Sequence, residues 1–245
     1  MILFQRASLF LAFFALVCPC QLRAETLPDR RPAMIGSGAG SLVDLINVNA
    51  LFEKGQRDAW VMFQCIVAPD GIVYRKNFFI GSPDSGLLKN EIRRRILQSR
   101  FIPAVNNHKR TYAWFAGTAL FVVTNGQPHL RLYAHQDLDE IRRGTDFVAP
   151  QMIHVPNYPF TNFPDYPSAA TRAEMGGVLK LRHSVDVNGK TTGVEIISER
   201  PSGYGFGEYM KKALLRVPFL PGYRNGKPTA TSYTYITWFG QTIGW

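Results

Sequence analysis

The sequence predicts an α+β protein made of two tandem domains of about 80 residues. Each is expected to be a three-stranded antiparallel sheet with a helix packed on one face. Three observations carry this. Two separated stretches alternate apolar and polar residues with period 2. A helical apolar spacing follows each of them. The two halves also align on one another at a constant offset. Composition agrees: 46% apolar, 13% aromatic and 19% charged over 245 residues. This excludes both a disordered chain and a membrane bundle.

Residues 1–24 read as a secretory signal peptide. Arg6 and the terminal amine supply positive charge, Ala7 to Cys18 is an unbroken apolar run, and Ala24 is a small residue suited to cleavage. The run would rise only about 18 Å as a helix, short of the roughly 30 Å hydrocarbon core. The predicted location is the periplasm or outside the cell. The alternative is an inner-membrane anchor through residues 7–18. Cleavage removes Cys18 and Cys20 and leaves Cys65 alone, so no internal disulfide is expected. Residues 25–44 read as a flexible mature N-terminus.

The repeat lies at offset 118. Gly71 falls on Gly189, Phe101 and Pro103 on Phe219 and Pro221, Asn107 and Lys109 on Asn225 and Lys227, and Phe121 on Phe239. Each half then reads strand, turn, strand, helix, strand. Val61, Phe63, Cys65 and Val67 share the inward face of the first strand of residues 45–124. Leu179, Leu181, His183, Val185 and Val187 do so in residues 159–245, with Lys180, Arg182, Ser184 and Asp186 opposite. The second strands are Val73 to Ile80 and Thr192 to Glu199, antiparallel to the first. Leu88, Ile92 and Ile96 mark one helix, with Asp84 or Ser85 as its N-cap. Phe206, Met210, Leu214 and Val217 mark the other. The closing strands are Phe115 to Val123 and Thr229 to Phe239. Between the halves, residues 125–158 are rich in proline and read as a semi-rigid linker. Ser168 to Met175 reads as helical.

The second half carries a recognisable order of pieces. Pro164-Asp165-Tyr166-Pro167-Ser168-Ala169-Ala170 leads to Gly176-Gly177-Val178 and the alternating strand. Asp186-Val187-Asn188-Gly189-Lys190, Val194-Glu195-Ile196-Ile197, Ser202-Gly203, Ala213-Leu214, Phe219-Leu220-Pro221 and Asn225-Gly226-Lys227-Pro228 follow. This resembles the TonB C-terminal domain family over about residues 164–239. The first half resembles it only through the repeat and lacks the Pro-x-Tyr-Pro opening. The resemblance implies two tandem TonB C-terminal-like domains. It also implies a non-enzymatic envelope protein with no cofactor. Family members carry energy from the inner membrane to outer-membrane transporters and bind a transporter peptide by adding its strand to a sheet edge. The implied partner is a protein or peptide such as an outer-membrane transporter segment. The implied edge is the last strand, with Tyr233, Tyr235, Thr237 and Trp238. The alternative is a structural envelope protein or homodimer built from two pseudo-repeats, with no transport role.

Other chemistry is weak. His108, His129, His135, His154 and His183 show no metal-ligand spacing, so no metal site is expected. Cys65 falls on the inward strand face and reads as a buried thiol rather than a nucleophile. The glycines of 36–40 lack the strand and Lys-Ser/Thr of a phosphate loop. The charge of +10 loses two units with the leader. Arg93-Arg94-Arg95 and Lys211-Lys212 occupy equivalent helix positions. They point to an anionic envelope surface rather than to nucleic acid, for which no motif is present.

Overall fold

Alternation along Gly177–Val185 decides the second half. Leu179, Leu181 and Val185 are buried, and Lys180 and Arg182 between them are exposed. The computed structural model describes residues 26–154 and 167–240, without the side chains of 77–79. In chain order it contains β1 (Arg30–Arg31), β2 (Met34–Ile35), α1 (Leu42–Leu45), α2 (Val48–Glu53), β3 (Ala59–Val67), β4 (Val73–Gly81) and α3 (Gly86–Arg95). Next come β5 (Phe101–Ile102), β6 (Ala104–Asn106), β7 (Lys109–Thr124), β8 (Gln127–Tyr133), α4 (Leu138–Arg143), β9 (Phe147–Val148) and β10 (Gln151–His154). The second half holds α5 (Ser168–Arg172), β11 (Gly177–Val185), β12 (Thr191–Arg200), α6 (Phe206–Leu214), β13 (Phe219–Leu220), β14 (Gly222–Arg224), β15 (Lys227–Thr229) and β16 (Thr231–Phe239). The fold is α+β, and the pairings between these strands are antiparallel.

In the second half β11 lies between β12 and β16. Phe206 and Leu214 of α6 close over Leu179 and Leu181, and Phe206 stacks on Phe239 at 5.0 Å between ring centroids. Full burial of a side chain of this size contributes about 1.5–3 kcal/mol. Glu199 of β12 fixes where α6 begins. Its carboxylate accepts from the backbone N–H of Gly205, Phe206 and Gly207 at 3.0 to 3.2 Å. These are donors that a helix start leaves without intrahelical partners.

The first half has β3 between β4 and β7. Val61, Phe63, Cys65 and Val67 share one core with Leu88, Ile92 and Ile96. Burial pushes the Cys65 thiol well up, so it is neutral and unreactive. Unlike the three-stranded second sheet, this one has eight strands: β8 pairs along β7 from Thr118–Tyr133 to Thr124–Gln127, and β1, β6, β10 and β13 extend it.

Positions 118 residues apart make matching contacts. Gly71 and Gly189 both have positive φ, 84° and 81°. A Cβ at either would strike a carbonyl oxygen, of Phe101 or of Phe219. The N–H of Phe101 donates to Gly71 O and that of Phe219 to Gly189 O. Cys65 faces Phe115 across its ladder as His183 faces Tyr233.

Two stretches differ from expectation. The segment read as a flexible N-terminus is docked: Ala33 and Leu42 are buried, and Gln151 exchanges two 2.7 Å hydrogen bonds with the Ala33 backbone. The segment read as a linker carries β8, α4, β9 and β10. β10 pairs with β7 on one side, through Ile153 and His154, and with β13 on the other, through Gln151 and Met152. Met152 packs against the second-half core, and Ile153 against the first. Phe219 and Leu220 are divided the same way. The proline signal was outweighed by pairing partners distant in sequence. The expected signal peptide (1–24) and the Pro164-Asp165-Tyr166 opening lie outside the described residues.

Candidate strand-edge binding site

β16 sits at the edge of its sheet. Among the described strands it pairs only with β11, from Gly177–Phe239 to Val185–Thr231. Backbone groups of alternate residues in such a strand face away from the partner. Thr234 and Ile236 show this. Thr234 N–H donates to Asp137 Oδ2 at 2.9 Å, and Ile236 C=O accepts from Gln64 Nε2 at 3.2 Å. The donor Gln64 comes from the first half of the chain and the acceptor Asp137 from the segment between the halves. Two outward groups of this edge are therefore held by side chains where a further strand would hold them by backbone.

Asp137 is fixed by its own helix. It is the N-cap of α4, and its Oδ1 accepts from the N–H of Asp139 and Glu140. This leaves Oδ2 for Thr234. The helix is tied to the second half by Glu140, whose buried carboxylate meets Arg224 of β14 at 2.6 and 2.9 Å. Hydrogen bonds from the Arg224 guanidinium hold the Glu140 carboxyl at about 2, despite its burial. The same guanidinium lies over the Phe147 ring at 4.5 Å.

The four residues expected at the edge are not alike. Tyr233 is buried, packed with Phe147 and Ala149. Its hydroxyl lies 3.4 Å from both His183 Nδ1 and Pro150 O. Tyr235 stacks on it with ring centroids 5.2 Å apart, and burial raises both phenols above their ordinary value. Thr237 is half-buried, and Trp238 is 49% exposed. The two tyrosines thus serve packing against the α4–β10 region, and Trp238 presents surface.

Of the buried histidines, His183 hydrogen-bonds Thr191 Oγ1 at 2.9 Å, and the Thr191 hydroxyl donates to Leu214 O at 2.8 Å. Both ring nitrogens of His135 lack a partner among the described residues. Desolvation brings each of the two down to about 4, so both are neutral at pH 7. Among the described residues no group of three or more His, Cys, Asp or Glu is placed to hold a metal ion. No helix there is long and apolar enough to cross a membrane.

Gly177 to Phe239 thus form a three-stranded antiparallel sheet with α6 packed on one face. Residues 162–239 match the family model of the Gram-negative bacterial TonB protein C-terminal. The match takes in β11, β12, α6 and β16 and stops where β16 ends. No curated protein matches the chain. β16 is therefore the last strand of the stretch that matches this family model.

Sequence reasoning missed Gln64 and Asp137. Each left a signal. β3 reads Ala-Trp-Val-Met-Phe-Gln-Cys-Ile-Val, apolar on both faces apart from Gln64. Met62 and Ile66 on its second face are buried as fully as the core residues of the first. A strand of that kind is covered on both sides, and its one polar residue needs a partner. Asp137 directly precedes Leu138 and an acidic first turn, an N-cap pattern.

Proposed function

We propose that the protein is a non-enzymatic envelope protein that binds a protein or peptide partner by strand-edge addition, in connection with outer-membrane transport. The observation that carries this is the match of residues 162–239 to the TonB C-terminal family model, in a stretch whose last strand, β16, is a sheet edge. A partner strand would run along Tyr233 to Trp238 and take over the Thr234 N–H and Ile236 C=O from Asp137 and Gln64. We further infer that residues 45–124 descend from the same fold. The matched contacts at Gly71 and Gly189, and at Phe101 and Phe219, support a duplicated origin. The periplasm is the expected location, with residues 1–24 removed or residues 7–18 retained as an anchor.

A second reading is favoured by one observation. Because Asp137 and Gln64 already hold the edge, the two halves would form a structural envelope protein with no transport role. One experiment separates the two. The full chain is titrated calorimetrically with synthetic peptides from the periplasmic N-termini of outer-membrane transporters. Ile236→Pro removes an outward N–H and leaves the β11 pairing positions intact, as proline on an edge strand can. Saturable peptide binding, lost in the variant while its circular dichroism is unchanged, is the expected result. Binding that is absent, or untouched by the variant, overturns the strand-edge reading.

A further inference from the structure

A cleft of about 410 Å³ opens where the two halves meet, away from β16. It is lined by Arg30, Lys190 and Arg216 together with Asn106, Asn107 and Asn188. Val217, Pro218 and Phe219 form an apolar part of its wall. No carboxylate lines it.

The hydrogen-bonding inventory of this cleft is one-sided. Several of its backbone acceptors are engaged. Asn188 C=O accepts from Arg30 Nη1 at 3.1 Å. Gly189 C=O accepts from Phe219 N–H, and Pro218 C=O from Ile153 N–H. The end of α6 would normally turn orphan carbonyls, and so negative potential, toward such a site. Here Lys211 C=O accepts from Leu215 N–H, Ala213 C=O from Arg216 N–H, and Leu214 C=O from the Thr191 hydroxyl. The nearby acids are also occupied. Asp186 Oδ1 accepts from the N–H of Asn188 and Lys190, and Asp29 lies 3.8 Å from Arg30.

The donors are in the opposite condition. Among the described residues Lys190 Nζ, the Arg216 guanidinium and the three asparagine amides have no hydrogen-bond or ion-pair partner. The asparagine amides can turn their NH2 donors inward, and the two free cations face no carboxylate, so the site suits a negatively charged ligand rich in acceptors. A phosphoryl group has that character, and the volume suits a small ligand.

We propose that this cleft binds a phosphate-bearing ligand, its oxygens held by Lys190, Arg216 and the amides of Asn106, Asn107 and Asn188. The ligand is either a soluble phosphate compound or the headgroup of an anionic lipid, which share this chemistry. The proposal is independent of strand addition at β16.

The test uses the full chain with inorganic phosphate, and in parallel with vesicles of phosphatidylglycerol or phosphatidylcholine. Backbone amide shifts of Asn188, Lys190 and Arg216 follow binding. Saturable binding is expected, weakened roughly tenfold in Lys190→Gln/Arg216→Gln, as loss of one or two charge-assisted hydrogen bonds requires. Lys211→Gln/Lys212→Gln removes the same charge from exposed positions on α6 outside the cleft. It should bind as the parent does. Saturable binding of phosphate assigns a soluble ligand. Binding only to phosphatidylglycerol vesicles, lost in the cleft variant, assigns a lipid. Equal weakening in both variants means a general field effect and overturns the site, as does binding to neither probe. Peptide capture by β16 should be unchanged in either variant, so its failure would be seen separately.

Discussion

Replacing Glu140 by Gln should destabilise the chain most at neutral pH and hardly at all at pH 2. The carboxyl is held at about 2, against an ordinary 4.5, chiefly by hydrogen bonds from Arg224. At about 1.4 kcal/mol per pH unit, this difference is worth about 3 kcal/mol. The sign follows from protons. The unfolded chain takes up a proton at Glu140 near pH 4.5 and the folded chain only near 2. The contribution is therefore complete above 4.5 and lost as pH falls toward 2. Urea denaturation at pH 7, 5, 4, 3 and 2 would measure it. The parent should lose about 3 kcal/mol more than Glu140→Gln over the acid limb. At pH 7 the variant should be weaker by a similar amount. Thr145 and Arg143 also touch the carboxylate, and Arg224 keeps its place over Phe147. An acid limb of equal slope in parent and variant would refute the reasoning.

Other outcomes follow from particular contacts. Gly189→Ala places a Cβ against Phe219 O at a φ of 81°. It should cost roughly 1–3 kcal/mol by urea denaturation, and a loss under 0.5 kcal/mol would contradict the close approach. Leu181→Ala opens a cavity under α6 and should cost about 2–5 kcal/mol. Burial holds His183 and His135 at about 4, so proton resonances from both rings should stay constant down to about pH 5. Stability should then fall as pH drops from 6.5 toward 4, and a ring titrating near 6.5 would show it is not buried as described. Asp137→Ala should speed hydrogen exchange at the Thr234 amide relative to Tyr235, and equal protection would mean the Asp137 contact does not form.

Strands and helices with local signatures were legible. The period-2 pattern located β11, and the four-residue apolar spacing located α6 and α3. Ser85 does precede α3, although its side chain makes no cap hydrogen bond. The constant offset between Gly71 and Gly189 was visible because each is glycine for the same reason: positive φ and a carbonyl pressed against its Cα. What could not be read was pairing over distance. β10 has four residues, no marked periodicity and a proline before it, so nothing local marks it as strand. Ala33 is fixed by Gln151, 118 positions away. The tyrosines of β16 alternate correctly for a strand face, but which neighbour would cover that face depended on Phe147 and Pro150.

β10 has a thermodynamic consequence. Four residues serve as an edge for both β7 and β13, and consecutive side chains enter different cores. Loss of either pairing would strip β10 of its hydrogen bonds on that side and uncover side chains that belong to both cores. The Gln151–Ala33 and Glu140–Arg224 contacts tie the same junction. Two repeats joined by a tether would melt as two independent units. This chain is expected to melt as one, with a single cooperative transition whose calorimetric and van't Hoff enthalpies agree.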